Sequence, residues 1–518
     1  MVTKPEQVQP PQGAMPNLSN TTPVTAANQF PYPNSIARLN EYDYYARLFM
    51  GEHYSAFRIR IDSAQYNAAY SRLRYVMVNF AGLVSKIVAD MLFSEPIVVK
   101  VPEGDQDWVD AFWHENNLDV QLYESALSNS YLGDALFKLR VGPLLPGDPE
   151  SVVIAEDITP RIYFPKIDGF NVRAEPSEVE LAWTFKVGDK ETYLRKEVHT
   201  SGLVTNQVFK MDGMSIAEAV GLNILGVPGL TEMQPTGIKQ MMTIHVPNWK
   251  TGDRHFGISD YFDMDTLFYA VNNRMTKIDN VLDKHGDPIL MVPQGVLDEK
   301  GNVNKKALGV IEIVEGENNK PEYIVWDASL ENAFKEIEKL VEFMYLVGEI
   351  SPDVLGIGQG VSDSGRALKF KLMRTIAKVA RKKLYYDRAI KELVFRAQLL
   401  AKAHNLKADG LSLQGEPQRP EIDWQDGLPI DESEQIDTET KALDAGVTSK
   451  RAAIMRIYKV DEETADEILA EAKKETTVPL PGMNLGNIDK NMMDGKGNMP
   501  GKENMPGKPN MPPFAKKE

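Results

Sequence analysis

The chain has 518 residues, with 58 Lys plus Arg against 74 Asp plus Glu for a formal net charge of −16, 42% apolar and 25% charged residues, and no cysteine. Such a composition can build a globular core, and the length allows about two to four domains. Disulfide scaffolds, thiolate catalysis and Cys-ligated metal sites are excluded, as is a uniformly basic, DNA-wrapping surface; any nucleic acid would have to meet a local basic stripe.

Residues 1–33 are rich in Pro, Gln, Asn and Thr. They are expected to form a disordered arm, because so little apolar surface cannot offset chain entropy. The opening Met1-Val2-Thr3-Lys4-Pro5 has no apolar segment behind it, so no secretory signal is expected. The most apolar stretch, 76–93, is interrupted by Asn79, Ser85, Lys86 and Asp90 and falls short of the about 20 apolar residues a spanning helix requires. A soluble protein made in a cytoplasm is the expectation.

Apolar residues at three- and four-residue spacing predict helices over 35–52, 71–93 and 105–131. From 135 to 246 short alternating runs between Gly, Pro and Asp turns predict a β-rich stretch. Helix returns over 257–284, with Ser259 as its cap and Asp260, Asp263 and Asp265 in its first turns, where the helix dipole favours negative charge. A small β-like module with glycine turns follows over 289–326, and then a helix over 329–347. The two helices form a stalk about 30–40 Å long at 1.5 Å per residue. After a glycine-rich loop, 351–365, one helix about 58 Å long is predicted over 366–405. A polar linker, 410–437, leads to a helical pair at 438–445 and 449–474. Asn498, Asn504 and Asn510 each open an Asn-Met-Pro unit at six-residue spacing, and 476–518 is expected to be a flexible tail. The fold class expected is α+β, mainly α.

The sharpest charge signal lies in the long helix. Arg366, Lys369, Lys371, Arg374, Lys378, Arg381, Lys382 and Lys383 occur with no acid between them. On a helical wheel Lys371, Arg374, Lys378, Arg381 and Lys382 share an arc of about 100°, with Leu368, Leu372, Met373, Ile376, Val379 and Ala380 opposite. Two readings stand: a face solvated or paired with acidic neighbours in an oligomer, or sequence-independent contact with phosphates. The loop holds Gly356, Gly358, Gln359, Gly360, Val361, Ser362, Asp363 and Ser364. Val361 breaks a G-x-G-x-x-G pattern and no Gly-Lys-Ser/Thr follows, so a movable loop is expected and not a nucleotide site. Asp260, Asp263 and Asp265 do not share one helix face, and His53, His114, His199, His245, His255, His285 and His404 are scattered. No catalytic, cofactor or metal site is expected. Glu331, Glu336, Glu338, Glu342 and Glu349 against Lys335 and Lys339 make the second stalk helix acidic: a solvated face, or an acidic wall if copies form a ring.

Three phrases in this order complete the sequence reading: Ile87-Val-Ala-Asp-Met-Leu-Phe-Ser-Glu-Pro-Ile97; Gly257-Ile-Ser-Asp260 leading to Asn272-Asn273 and Asp287-Pro-Ile-Leu290; and Ser364-Gly-Arg-Ala-Leu-Lys369. Around a helix, β module, helix, loop and long helix, they resemble the portal proteins of tailed bacteriophages, the Gram-positive siphovirus type in particular. The resemblance implies a non-enzymatic subunit of a ring of about twelve copies at one vertex of the viral head, in the virion and, during assembly, in the host cytoplasm. Double-stranded DNA would be packaged and ejected through it, without a membrane.

It assigns 34–256 to a wing or body, 257–285 and 328–350 to a two-helix stem, and 286–327 to a clip docking terminase and head-completion or adaptor proteins. Residues 351–365 become a tunnel loop, 366–437 the long helix returning to the wing, with a bend at Gly365, and 438–475 a helical crown. Major capsid and scaffolding proteins would be further partners. Lys371, Arg374, Lys378, Arg381 and Lys382 become candidate phosphate contacts, and Glu331, Glu338 and Glu342 the acidic stem face. The residues alone leave two alternatives: an acidic oligomeric scaffold without a DNA channel, and a carboxylate-metal hydrolase built on Asp260, Asp263 and Asp265.

Overall fold

The structure, a computed structural model, describes residues 29–64, 75–101, 105–144, 148–188, 191–227, 229–286, 289–291, 322–324, 330–355, 365–424, 432–458, 460 and 462–477. It divides into two compact units, 1–429 and 430–518.

The first unit opens with helices α1 (Ile36–Phe49), α2 (His53–Ala64) and α3 (Phe80–Phe93). The helix expected over 71–93 begins only at Phe80, because the Asn79 side chain accepts a hydrogen bond from the Gly82 amide and caps it. Strand β1 (Val98–Lys100) follows, then α4 (Gln106–Glu115) and α5 (Leu118–Leu132). The single helical block expected over 105–131 is therefore two helices, broken where Asn117 takes a left-handed backbone with φ 50°, a conformation Asn tolerates better than most residues.

Nine strands come next: β2 (Asp134–Gly142), β3 (Val152–Ile158), β4 (Tyr163–Pro165), β5 (Glu178–Val187), β6 (Glu191–Thr200), β7 (Leu203–Asp212), β8 (Ser215–Val220), β9 (Met233–Pro235) and β10 (Thr243–Pro247). They form two antiparallel sheets, ordered β10-β2-β3 and β4-β5-β6-β7-β8, with β9 on β7. The end of the expected disordered arm belongs to the second sheet. Phe30 and Tyr32 are buried against Ala182, Leu194 and Met211, with ring contacts to Phe164 at 5.7 and 5.1 Å. Two aromatic side chains supply what the preceding polar residues lack, about 1.5–3 kcal/mol each on burial. Residues 1–28 lie outside the described residues.

Helix α6 (Asp265–Gly286) leads to β11 (Ile289–Met291) and β12 (Glu322–Ile324), which pair antiparallel, and then to α7 (Glu331–Gly348), which packs on α6. Most of 286–327 lies outside the described residues. Ser259 does not cap α6. Its hydroxyl donates to the Tyr131 carbonyl at 2.7 Å and accepts from the Tyr261 amide at 3.0 Å, and of the three aspartates only Asp265 reaches the first helical turn.

Helix α8 (Gly365–His404) runs 40 residues from Gly365 as one element, so Gly365 starts the helix and does not bend it. Its second half is the centre of the main core: Tyr386, Ile390, Leu393, Val394, Ala397 and Leu400 are buried in one cluster with residues of α3, α5 and the β10-β2-β3 sheet. Short strands β13 (Lys407–Ala408), β14 (Leu411–Ser412) and β15 (Glu421–Asp423) follow, and β15 pairs with β1.

The second unit holds α9 (Glu432–Asp444), α10 (Lys450–Tyr458) and α11 (Glu462–Thr477). The helix expected over 449–474 is two, and Glu462 opens the second where the dipole favours acids. Arg456 grips Glu439 through two bonds of 2.7 Å. The repeated tail lies outside the described residues.

Candidate nucleic-acid interface

The five basic residues proposed for phosphate contact meet carboxylates of their own chain. Lys378 and Lys382 are only 6% and 3% exposed. Both point at Asp260, with Nζ to carboxylate distances of 3.2 and 2.9 Å. Two ammonium groups so placed cannot reach a phosphate, and the phosphate assignment is corrected for both. Lys371 stands 3.6 Å from Asp353, Arg374 is 3.5 Å from Glu349, and Arg381 also binds Glu349. The basic stripe is thus largely an intramolecular fastening. It binds the first half of α8 to the end of α7 and to the residues that follow. Arg374 and Arg381, at 68% and 53% side-chain exposure, keep most of their surface in solvent.

The local sequence explains why Asp260 lies there. The Gly257 amide donates to Asp134 at 2.8 Å, and a Cβ on Gly257 would meet the Gly133 carbonyl at 1.9 Å. Only glycine lets 257–260 run against the end of α5, where the Asp260 amide reaches the Ser130 carbonyl at 2.9 Å. Ser130 and Asn248 also donate to the carboxylate, at 2.7 and 3.1 Å. Burial alone would raise the Asp260 pKa, but Lys378 and then Lys382, with these hydrogen bonds, hold it well below the usual carboxylate range. Burial brings the Lys382 ammonium down to about 8 against the pull of Asp260. With its carboxylate bound to two lysines, Asp260 is not available as a metal ligand. Among the described residues no three His, Asp or Glu side chains gather to hold a metal.

The root of the glycine loop is fastened to the same helix. The Ser351 amide donates to the Thr375 hydroxyl at 2.8 Å, and Lys378 donates to the Gly348 carbonyl at 2.8 Å. The loop candidates Gly356, Gly358, Gln359, Gly360, Val361, Ser362, Asp363 and Ser364 lie outside the described residues. On α7, Glu331 pairs with Lys335 and Glu342 with Lys339, both at 2.6 Å, and Glu336 reaches across to Arg274 of α6 at 2.8 Å. Of the three candidates on the acidic face, Glu338 is exposed and Glu331 and Glu342 are partly neutralised by their own helix.

One surface feature escaped the wheel argument. Phe370, Met373, Ala377, Ala380 and Leu384 recur at spacings of three and four along α8, and all are exposed. Of the six apolar residues expected opposite the basic arc, Leu372 and Val379 are buried in the main core and Leu368 and Ile376 pack against it, whereas Met373 and Ala380 are exposed. The first half of α8 thus turns Lys378 and Lys382 inward with part of its apolar face, and leaves an apolar seam outward. The alternating three and four spacing was the available signal, and it matches a helix-pairing seam.

The family model described as phage portal protein, SPP1 Gp6-like, matches residues 32–477. Among solved structures, the chain is similar to the neck of a native GTA particle computed with C12 symmetry: 11% identity, TM-score 0.42, covering 73% of this chain and 89% of that one. The neck of an empty GTA particle computed with C6 symmetry gives 12% identity, TM-score 0.43 and the same coverages. No curated protein matches the chain.

Proposed function

The chain belongs to the SPP1 Gp6-like family of phage portal proteins and is a portal connector subunit; from that premise we propose that about twelve copies close into a ring at one vertex of a viral head, through which double-stranded DNA passes. The carrying observation is the extent of the family match, 32–477, which runs from the first described helices to the end of α11. In this reading α6 and α7 are the stem, 286–327 the clip that docks terminase and then head-completion or adaptor proteins, and 351–365 the tunnel loop. Capsid and scaffolding proteins surround the ring, and the subunit performs no chemistry of its own.

The charge pattern supports a conduit that does not hold its cargo. Each lysine or arginine on a DNA phosphate adds affinity and a salt slope of about −0.9, and a duplex so held would not slide. A chain of net −16 whose main basic stripe is bound to its own carboxylates repels DNA overall, and Arg374 and Arg381 are left as shallow contacts. The test is electron microscopy of the purified protein, with a native mass. A closed ring with a central bore of about 20 Å or more, wide enough for a duplex, is expected. Particles solid along their axis, or monomers under every assembly condition, overturn the reading.

A further inference from the structure

A small cavity opens beside the main core, between β10, the turn at 250–256 and the middle of α8, with a volume of about 140 Å³. Drug-sized ligands occupy pockets of about 300 Å³ or more, so its occupant is small. Arg173, Lys250 and Arg388 converge on this cavity, and none of the three has a carboxylate within ion-pair distance among the described residues. They are close enough to act on one another: burial lowers the Lys250 pKa, Asp134 opposes that, and Arg388 and Arg173 lower it further.

The carboxylates nearby are already bound. Glu175 and Glu392 both hold Arg396, at 2.8 and 3.2 Å, and Glu392 also binds Arg419 at 2.7 Å. Asp134 accepts from His245 at 2.6 Å, from Tyr42 at 2.5 Å and from the Gly257 amide. Arg173 and Arg388 are exposed, and the half-buried Lys250 donates to the His255 carbonyl at 3.3 Å; three like charges at one cavity in an acidic protein form an arrangement that an anion relieves.

The cavity wall carries an aromatic stack. Tyr163, His245 and His255 stack in a ladder, with ring centroids 5.1 Å apart between Tyr163 and His245 and 4.9 Å between the two histidines. His255 is 8% exposed; its Nε2 lies 3.2 Å from the Tyr163 hydroxyl. Burial keeps that phenol protonated and this imidazole neutral. Nδ1 has no partner in hydrogen-bond geometry, although the Val172 carbonyl stands beside the ring. Guanidinium forks and an ammonium suit a tetrahedral oxyanion.

We propose that this cavity is a phosphate site, in which Arg173, Lys250 and Arg388 hold a phosphate group as counter-charges. The phosphate comes either from solution or from a nucleic-acid backbone. The site does not depend on the ring reading, since every group belongs to one subunit.

The experiment is calorimetric titration of the full chain with inorganic phosphate, repeated for Lys250→Ala and Arg388→Ala, with Lys335→Ala on the stem as control. Thermal unfolding checks that each variant is folded. Saturable binding that weakens at least tenfold in both cavity variants and not in the control is expected. A short duplex that displaces the phosphate identifies the backbone as the source, and a duplex without effect identifies a free anion; either outcome upholds the site. Absence of saturable binding, or equal binding by all the folded variants, overturns it.

Discussion

At the scale of single residues, the Asp260 cluster governs the chain's response to substitution and to pH. Removing the shared carboxylate by Asp260→Asn leaves two buried ammonium groups without a counter-ion, and breaking such a pair costs about 3–5 kcal/mol. Lys382→Met leaves a one-to-one pair between Lys378 and Asp260 and should cost about 1 kcal/mol or less. Denaturant unfolding at pH 7 checks the order of the two, and equal losses would refute the account.

The titration has a definite sign. An unfolded lysine keeps its proton to about 10.5, whereas Lys382 releases it near 8 in the fold. The unfolded chain therefore binds more protons in between, and stability rises with pH across that window. The buried His255, lowered to about 3 from 6.5, works alike at the acid end, with stability falling as pH drops from 6.5 to 3. Asp260, held below the usual range, contributes fully above about pH 4 and is lost only well below it. A stability–pH curve should show both limbs, and Lys382→Met should flatten the alkaline one.

At the scale of elements, the outward seam of α8 is an apolar row in helix-pairing register. Phe370 and Leu384 are 70% and 73% exposed. On α7, Phe343, Leu346 and Val347 are exposed on one face beside the stem pair. Isolated surface leucines need no explanation, but five apolar positions in helical register do. Exchanging exposed side chains usually changes folding stability by less than about 0.5 kcal/mol. Met373→Asp with Leu384→Asp should therefore leave the subunit folded and block its assembly, as read by sedimentation and circular dichroism. Unchanged assembly would make the seam an ordinary surface.

At the scale of the whole molecule, what the sequence disclosed follows the range of the interactions involved. Alternation along Glu178–Val187 and the periodicity of 366–405 are local, and both are legible. Helix starts were misplaced where one polar side chain decides, as at Asn79 and Asn117, because a cap or a left-handed residue leaves no periodic trace. The polar arm hid the anchoring of Phe30 and Tyr32, whose partners lie on strands more than 130 residues away. Lys378 and Lys382 read as a surface stripe because their counter-ion is 118 and 122 positions upstream, and no window of sequence holds both. Gly257 opens one of the family-like phrases, but its reason, the close approach to Gly133, exists only in three dimensions.

The outward apolar seam of α8 also bears on the life of a newly made chain. Until a neighbour covers it, each copy carries a sticky ridge that water disfavours and that any other unfinished protein could adhere to. Free copies should therefore be short-lived, and salt, which screens the surrounding charges while leaving apolar attraction intact, should hasten self-association. Supply of new chains would then have to keep step with closure, and overproducing the chain alone should fill a cell with misassembled aggregates.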